Sequence, residues 1–225
     1  MFEILIHVFV IVCLPLTFAA GLLRSGVSRW EWWSTFVLTA ATATWAFLVG
    51  RWDLVGYPIR YVLPALTVGV LLIGWQRRRG MMGLTGGNAR SFSVILSFFL
   101  SVVFFLQAGF AWAGFIATEA AVELAFPLRG GTYFVVQGGS TVLVNYHAAY
   151  PPQAYALDVS RLYPLGYRAI GLYPKGLDRY SIFGEPIYSP CSGEVVAARD
   201  GLPDHVPPAR DGDHPEGNFV TGRCH

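Results

Sequence analysis

Four long apolar stretches in the first half of the chain constrain its fold more than any other feature. They run from Ile4 to Leu23, from Ser34 to Gly50, from Tyr57 to Trp75 and from Phe92 to about Ala117. A helix needs about 20 mostly apolar residues to cross the hydrocarbon core of a bilayer. Gly and Pro inside such helices are tolerated, because neighbouring helices satisfy the backbone groups that they free. The four stretches therefore predict a four-helix transmembrane region with the lipid bilayer as its solvent.

Acidic residues are distributed very unevenly along the chain. Residues 1–118 contain only Glu3, Glu31 and Asp53, and most of the Asp, Glu, Pro and His residues come after position 119. The sequence thus predicts a membrane domain, residues 1–118, and a water-exposed domain, residues 126–225. The net charge is only +2, and no basic stripe is interleaved with aromatic residues. This pattern argues against nucleic-acid binding.

Arginines in the short loops determine the expected orientation. Arg24 and Arg29 follow the first stretch, and four arginines follow the third stretch, at positions 77, 78, 79 and 90. The opposite side has only Arg51 and Arg60. Because basic loops stay in the cytoplasm, we expect a multi-pass protein of the cell membrane with both termini extracytoplasmic. The first stretch could instead be a signal peptide, but it lacks a basic region before it and three further stretches follow.

The water-exposed domain shows short strand patterns separated by glycine and proline turns. Residues 132–137 are rich in strand formers and lie between two glycine pairs, which predicts a strand. Further strands are predicted at 141–146 and 155–159, and 186–189 and 194–198 are predicted to form a hairpin around the turn at 190–193. Residues 218–220 could begin another strand. The expected fold class is α + β, a four-helix transmembrane region followed by an antiparallel β domain.

His147 and Asp158 are the candidate metal ligands. A catalytic zinc site needs neutral nitrogen and carboxylate ligands with one position open for water, and a strand–turn–strand unit can supply two of them. A His and an Asp eleven positions apart are also typical of an ordinary polar pair in a loop. The spacing alone leaves both interpretations open.

Two motifs give the outer domain a resemblance to a known family. The segment QAYALD at 153–158, preceded by NYH at 145–147, resembles the entry to the lysostaphin/LytM-type zinc endopeptidases. The segment FGEPIYSPCSGEVV at 183–196 is similar to the hairpin of that family, and segments 200–204 and 215–218 resemble the loop and strand entry of its membrane-anchored members. The resemblance implies a small antiparallel β fold, a zinc cofactor, and hydrolysis of the peptide stems of peptidoglycan. It matches His147 and Asp158 to the first two zinc ligands.

The chain departs from the family pattern in two places. Many members have a His four positions before the Asp, where this chain has Ala154, so that His147 must reach the metal across residues 150–152. The later H-x-H motif, which supplies the third ligand and an assisting His, does not occur in the sequence. We therefore expect an incomplete β domain, a chain truncated before that motif, and an inactive enzyme, because catalytic zinc sites usually have three protein ligands. No catalytic residue is assigned.

The sequence leaves other points open. The alternative function is a non-catalytic binding or scaffold module on a membrane anchor, because the glycine hairpin around Gly193 also suits lipoyl-type sandwich domains. Cys191 and Cys224 both belong to the expected extracytoplasmic domain, where disulfides persist, so a bridge between them is possible. His205, His214 and His225 are interpreted as solvated surface or terminal residues, and Cys13 as a small apolar side chain.

Overall fold

The computed structural model describes residues 2–24, 26–80, 91–116, 122–204, 206–207 and 218–224. The first half is helical, and the second half consists of short strands, 3₁₀ helices and long loops. The helices are α1 (Phe2–Gly21), α2 (Arg29–Val49), the short α3 (Trp52–Val55), α4 (Ile59–Gly80) and α5 (Ser91–Gly114).

Three helices in the described part of the chain are long and apolar enough to cross a membrane. Their spans are Arg29–Val49, Ile59–Arg77 and Phe92–Gly114, at the predicted places. The apolar stretch Leu5–Gly21 of α1 is shorter than the 18 residues that such a span requires. Membrane association is therefore supported by three of the four predicted spans, while the fourth span stays a prediction.

Helix α2 lies at the centre of the helical bundle and packs against α1, α4 and α5. It begins with a capping box, in which the Ser28 hydroxyl accepts from the Glu31 amide and the Glu31 carboxylate accepts from the Ser28 amide. Its buried face is rich in Ala, Ser and Thr. Small residues let helix backbones approach closely in lipid, and the Thr42 hydroxyl remains satisfied by donating to the Leu38 carbonyl.

The two ends of the bundle are defined by separate sets of contacts. At one end, the His7 ring of α1 accepts a hydrogen bond from the Arg51 amide at 3.3 Å, next to the loop that follows α2. At the other end, the Trp32 and Trp75 rings lie 6.1 Å apart, which joins the beginning of α2 to the end of α4. The outer half of the chain contacts the His7 end, because the Ser140 amide donates to the carbonyl of Gly114, the last residue of α5.

The described part of the outer half contains two separate antiparallel sheets of two strands each. Strand β1 (Thr132–Gln137) pairs with β2 (Asp158–Leu162), and β3 (Gly193–Arg199) pairs with β4 (Phe219–Cys224). A disulfide joins Cys191 to Cys224 at the end of the second sheet, so the possible bridge is formed. All residues of β3 and β4 are exposed. Because an isolated pair of strands is marginal in water, this covalent bond is an important support for the hairpin.

The predicted strands at 132–137 and 218–220 are present, whereas the strand predicted at 141–146 is wrong. Residues 141–144 form a turn in which the Thr141 carbonyl accepts from the amides of Val144 and Asn145, and a 3₁₀ helix, Tyr146–Ala149, follows. The Thr141 hydroxyl donates to the Phe110 carbonyl of α5. The turn and this contact with the bundle outweigh the strand propensity of the segment, because strand propensity depends strongly on structural context.

The hairpin predicted for residues 186–198 is also wrong, because its two segments do not pair with each other. Residues 186–189 are not a strand; instead, the Tyr188 amide donates to the Pro127 carbonyl, and the Ala125 amide donates to the Pro190 carbonyl. The predicted strand at 194–198 exists as β3, but its partner is the distant β4. The third predicted strand, 155–159, begins three residues later, as β2.

A buried carboxylate joins the outer half to the bundle. Asp53 of α3 is 0% exposed. Its two oxygens accept from Arg51 at 2.9 and 2.8 Å, and Arg168 of the outer half lies 3.6 Å from Oδ2. The Arg168 amide also donates to the Asp53 carbonyl at 3.0 Å, and the Tyr57 amide donates to the Gly166 carbonyl at 3.1 Å. We call this set of contacts the Asp53 clamp.

We expect the substitution Asp53→Ala to lower the stability of the protein by about 3–5 kcal/mol, because it leaves two arginine side chains without their buried partner. The measurement is thermal unfolding of the full-length protein in detergent micelles. Asp204→Asn, which changes an exposed carboxylate in the outer half, is the control and should leave the unfolding temperature unchanged. Equal unfolding temperatures for the Asp53 variant and the wild type would contradict the role of the clamp.

Candidate functional site

Asn145 organises the loop that carries the candidate ligands. It is 0% exposed. Its side-chain amide donates to the carbonyls of Gly139 at 2.9 Å and Ala154 at 3.2 Å, which lie on either side of it in the chain. Its side-chain oxygen accepts from the His147 amide at 3.1 Å. One buried side chain therefore holds both ends of the loop and fixes the backbone beside His147.

Two 3₁₀ helices bring His147 and Asp158 together. Tyr146–Ala149 and Pro151–Gln153 follow each other directly and fold the chain back toward the first residue of β2. His147 Nε2 lies 3.0 Å from Asp158 Oδ1. The prolines that separate the two residues in sequence therefore do not prevent the pair from meeting, since they form the second of these helices.

Two further polar residues, Gln153 and Tyr146, complete the site, and the sequence reasoning assigned no role to either. His147 Nδ1 lies 3.0 Å from Gln153 Oε1, and the Tyr146 hydroxyl donates to Asp158 Oδ2 at 3.0 Å. The Tyr146 ring lies against the His147 ring, with centroids 4.0 Å apart. Both residues belong to the quoted segments at 145–147 and 153–158. Their position within these segments is the feature of the sequence that could have identified them as site residues.

Hydrogen bonds within the site, together with burial, change the pKa of His147 and of Tyr146. The hydrogen bond to Asp158 raises the pKa of His147; burial opposes this shift and the contact with Gln153 adds to it. Burial, followed by the hydrogen bond to Asp158, raises the pKa of Tyr146. A protonated imidazole can donate from both ring nitrogens, which matches the two oxygen acceptors around His147. The arrangement thus favours the charged form of His147.

The pair fits part of a zinc site. An imidazole nitrogen and a carboxylate oxygen are ligands that zinc prefers, and in a tetrahedral site with bonds of about 2.0–2.1 Å two such atoms lie about 3.3 Å apart. The observed 3.0 Å needs only a small opening. No group of three His, Cys, Asp or Glu side chains suited to a metal occurs among the described residues. His205, His214 and His225 lie outside the residues that the structure describes.

Comparisons with protein-family models, curated proteins and solved structures found no match. The resemblance to lysostaphin/LytM-type endopeptidases consequently stays a prediction from the quoted motifs.

We expect Asp158→Asn to lower the pKa of His147 in metal-free protein, because it removes the main acceptor that favours the imidazolium. The pKa is measured by NMR titration of the histidine ring in the presence of a chelator, with Asp204→Asn as the control. Because the folded pKa is raised, the pair stabilises the fold at low pH. This contribution is lost as the pH rises through the folded pKa of His147. An unchanged pKa in the Asp158 variant would show that the hydrogen bond does not form in solution.

Proposed function

We propose that this chain is a membrane-anchored protein of the peptidoglycan endopeptidase type, with His147 and Asp158 as two of its zinc ligands and peptidoglycan peptide stems as its partners. The proposal rests on one observation. The two residues that the resemblance matches to zinc ligands lie 3.0 Å apart, although eleven positions separate them in the chain. A loop held by Asn145 and two 3₁₀ helices produces this approach.

The surroundings of His147 support its assignment as a ligand. Ligating histidines commonly donate their second ring N–H to an oxygen, which fixes the tautomer and the ring orientation. Gln153 Oε1 is in position to accept from Nδ1, so that replacement of the Nε2 proton by a zinc ion would leave the Nε2 lone pair directed toward the metal beside Asp158. A bound zinc ion would supply a water of lowered pKa. Because the described residues supply two protein ligands where a catalytic zinc site usually has three, we propose that these two ligands alone do not support hydrolysis of peptide bonds.

We further propose that α1 is the fourth span and that both termini are extracytoplasmic. The contacts of His7 and Gly114 support this arrangement, because they join the beginning of α1 and the end of α5 to the same end of the bundle as the outer half. Arg24 follows the end of α1, and Arg29 is the first residue of α2, at the end of α2 that carries the Trp32–Trp75 contact. Cytoplasmic exposure of this opposite end agrees with the distribution of arginines.

A specific observation favours a second candidate, a non-catalytic binding or scaffold module. Both ring nitrogens of His147 and both oxygens of Asp158 already have protein partners. Such a network can serve to order the loop, with no metal involved. The two candidates differ in whether these side chains bind zinc.

The topology predicts the behaviour of reporter fusions. Alkaline phosphatase fused after Gly130 should be active, and the same fusion after Gly80 should be inactive, because the two positions are expected on opposite sides of the membrane. Green fluorescent protein should give the reverse pattern. Phosphatase activity at Gly80 together with fluorescence at Gly130 would invert the proposed orientation.

Zinc binding distinguishes the two candidate functions. Isothermal titration of the full-length protein in micelles should detect zinc binding that is lost in His147→Ala and Asp158→Asn. Gln153→Ala should weaken binding by roughly 10- to 100-fold, as expected for a residue that orients a ligand, and Asp204→Asn should bind normally. Zinc binding that is absent, or unaffected by these variants, would favour the non-catalytic module.

A digestion assay tests the proposed lack of activity. Purified peptidoglycan incubated with the zinc-loaded 225-residue protein should release no peptide fragments above background. Release that a chelator abolishes would show that a third ligand completes the site.

A further inference from the structure

A groove separate from the His147–Asp158 pair opens where the outer half meets the bundle. It has a volume of about 640 Å³, within the range of about 300–1,000 Å³ that is typical of small-ligand sites. Its walls come from four separate parts of the chain: the loop before α4, the beginning of β1 with the residue before it, the end of β2 with the turn after it, and the segment around the 3₁₀ helix Leu177–Arg179. Its lining residues include Tyr57, Arg161, Tyr163, Asp178, Tyr180 and Ser181.

The groove is built on backbone contacts that hold its walls in place. The Tyr57 amide donates to the Gly166 carbonyl, and the Ser181 amide donates to the Arg168 carbonyl at 3.0 Å. The Tyr180 hydroxyl donates to the Pro174 carbonyl at 3.0 Å. Because Arg168 also belongs to the Asp53 clamp, the groove and the clamp share one framework. A ligand would therefore meet a largely preformed surface.

The charges of the groove argue against an anionic ligand. Arg161 is the cationic side chain among its described lining residues, and it forms an ion pair with Glu185. Asp178 also lines the groove and is exposed. With its cation already neutralised and a further carboxylate nearby, the groove has no excess of positive charge. A phosphate or carboxylate would be repelled more than attracted.

The aromatic rings and hydrogen-bonding oxygens of the groove define the ligand that it fits. Tyr57, Tyr163 and Tyr180 provide aromatic surface, and Asp178 and Ser181 provide hydrogen-bonding oxygens. A pyranose ring combines an apolar face of C–H groups with a rim of hydroxyls, which matches aromatic side chains that carry polar neighbours. We propose that this groove binds an uncharged saccharide, with one ring stacked on tyrosine and its hydroxyls donating to Asp178.

The saccharide groove and the His147–Asp158 pair lie at opposite ends of β2. Asp158 begins the strand, and Arg161 stands three residues further along, which corresponds to about 10 Å at about 3.3 Å per residue. A single chain-like ligand that carries both sugar and peptide could contact both places. The saccharide proposal itself requires neither zinc nor peptidase activity.

The test uses the full-length protein in lipid nanodiscs, since sugar-based detergents would compete for the groove. The probe is the trimer of N-acetylglucosamine, and binding is followed by saturation-transfer NMR and by calorimetry. Tyr163→Ala should weaken binding roughly five- to tenfold, and Tyr163→Phe should retain it, because the ring is kept. Asp178→Asn should also weaken binding. Both positions are at the surface of the groove, and circular dichroism checks that the variants are folded.

Two controls separate this proposal from the proposed function. Asp204→Asn removes a carboxylate elsewhere, and His147→Ala removes the candidate metal ligand; both should bind the trimer as the wild type does. Trimer binding that is lost in His147→Ala would assign the saccharide to the other site and overturn the proposal. Absence of binding by the wild type at millimolar trimer would overturn it, as would competition by inorganic phosphate or equal binding by Tyr163→Ala.

Discussion

The buried carboxylate of Asp53 is the interaction on which the arrangement of the two halves depends. A charge that is fully removed from water is tolerated only with partners, and its partners are Arg51 beside it and Arg168 in the outer half. The outer half is therefore packed directly onto the bundle. Two further contacts, from Ser140 to Gly114 and from Thr141 to Phe110, secure it to the end of α5.

This packing determines where the candidate site lies. The turn at 141–144 touches α5, and Asn145 follows it at once and holds the loop that carries His147. The turn and the buried Asn145 side chain therefore connect the end of α5 to the His147–Asp158 pair and fix the position of the pair. The saccharide groove depends on the same junction, because Tyr57 precedes α4 and Arg168 belongs to the Asp53 clamp.

The predictions from sequence agree best with the structure for features that local physical rules determine, such as the apolar helices. Spans of about 20 apolar residues are required by the bilayer, and the three described helices that are long and apolar enough to cross it lie where spans were expected. The pairing of His147 with Asp158 was suggested by a motif, but the 3₁₀ helices that bring them together were not predicted, and a turn at 141–144 precedes them where a strand was expected. Strand pairings between distant segments could not be predicted from the sequence. For example, β3 pairs with β4, which lies far from it in the chain. The same holds for Asp53, one of three acids in residues 1–118, because its second partner, Arg168, lies far along the chain.

The contacts of Asp53, Ser140 and Thr141 fix the outer half to the helical bundle, so that it does not move independently of the bundle. Electron–electron double resonance tests it most directly, with spin labels at Ala65 on α4 and Ala149 beside the site, both exposed. The background is Cys13→Ala, because Cys13 is the free cysteine of the described residues. In nanodiscs we expect a single narrow distance distribution that broadens in Asp53→Ala. A broad or multiple distribution in the wild type would contradict it.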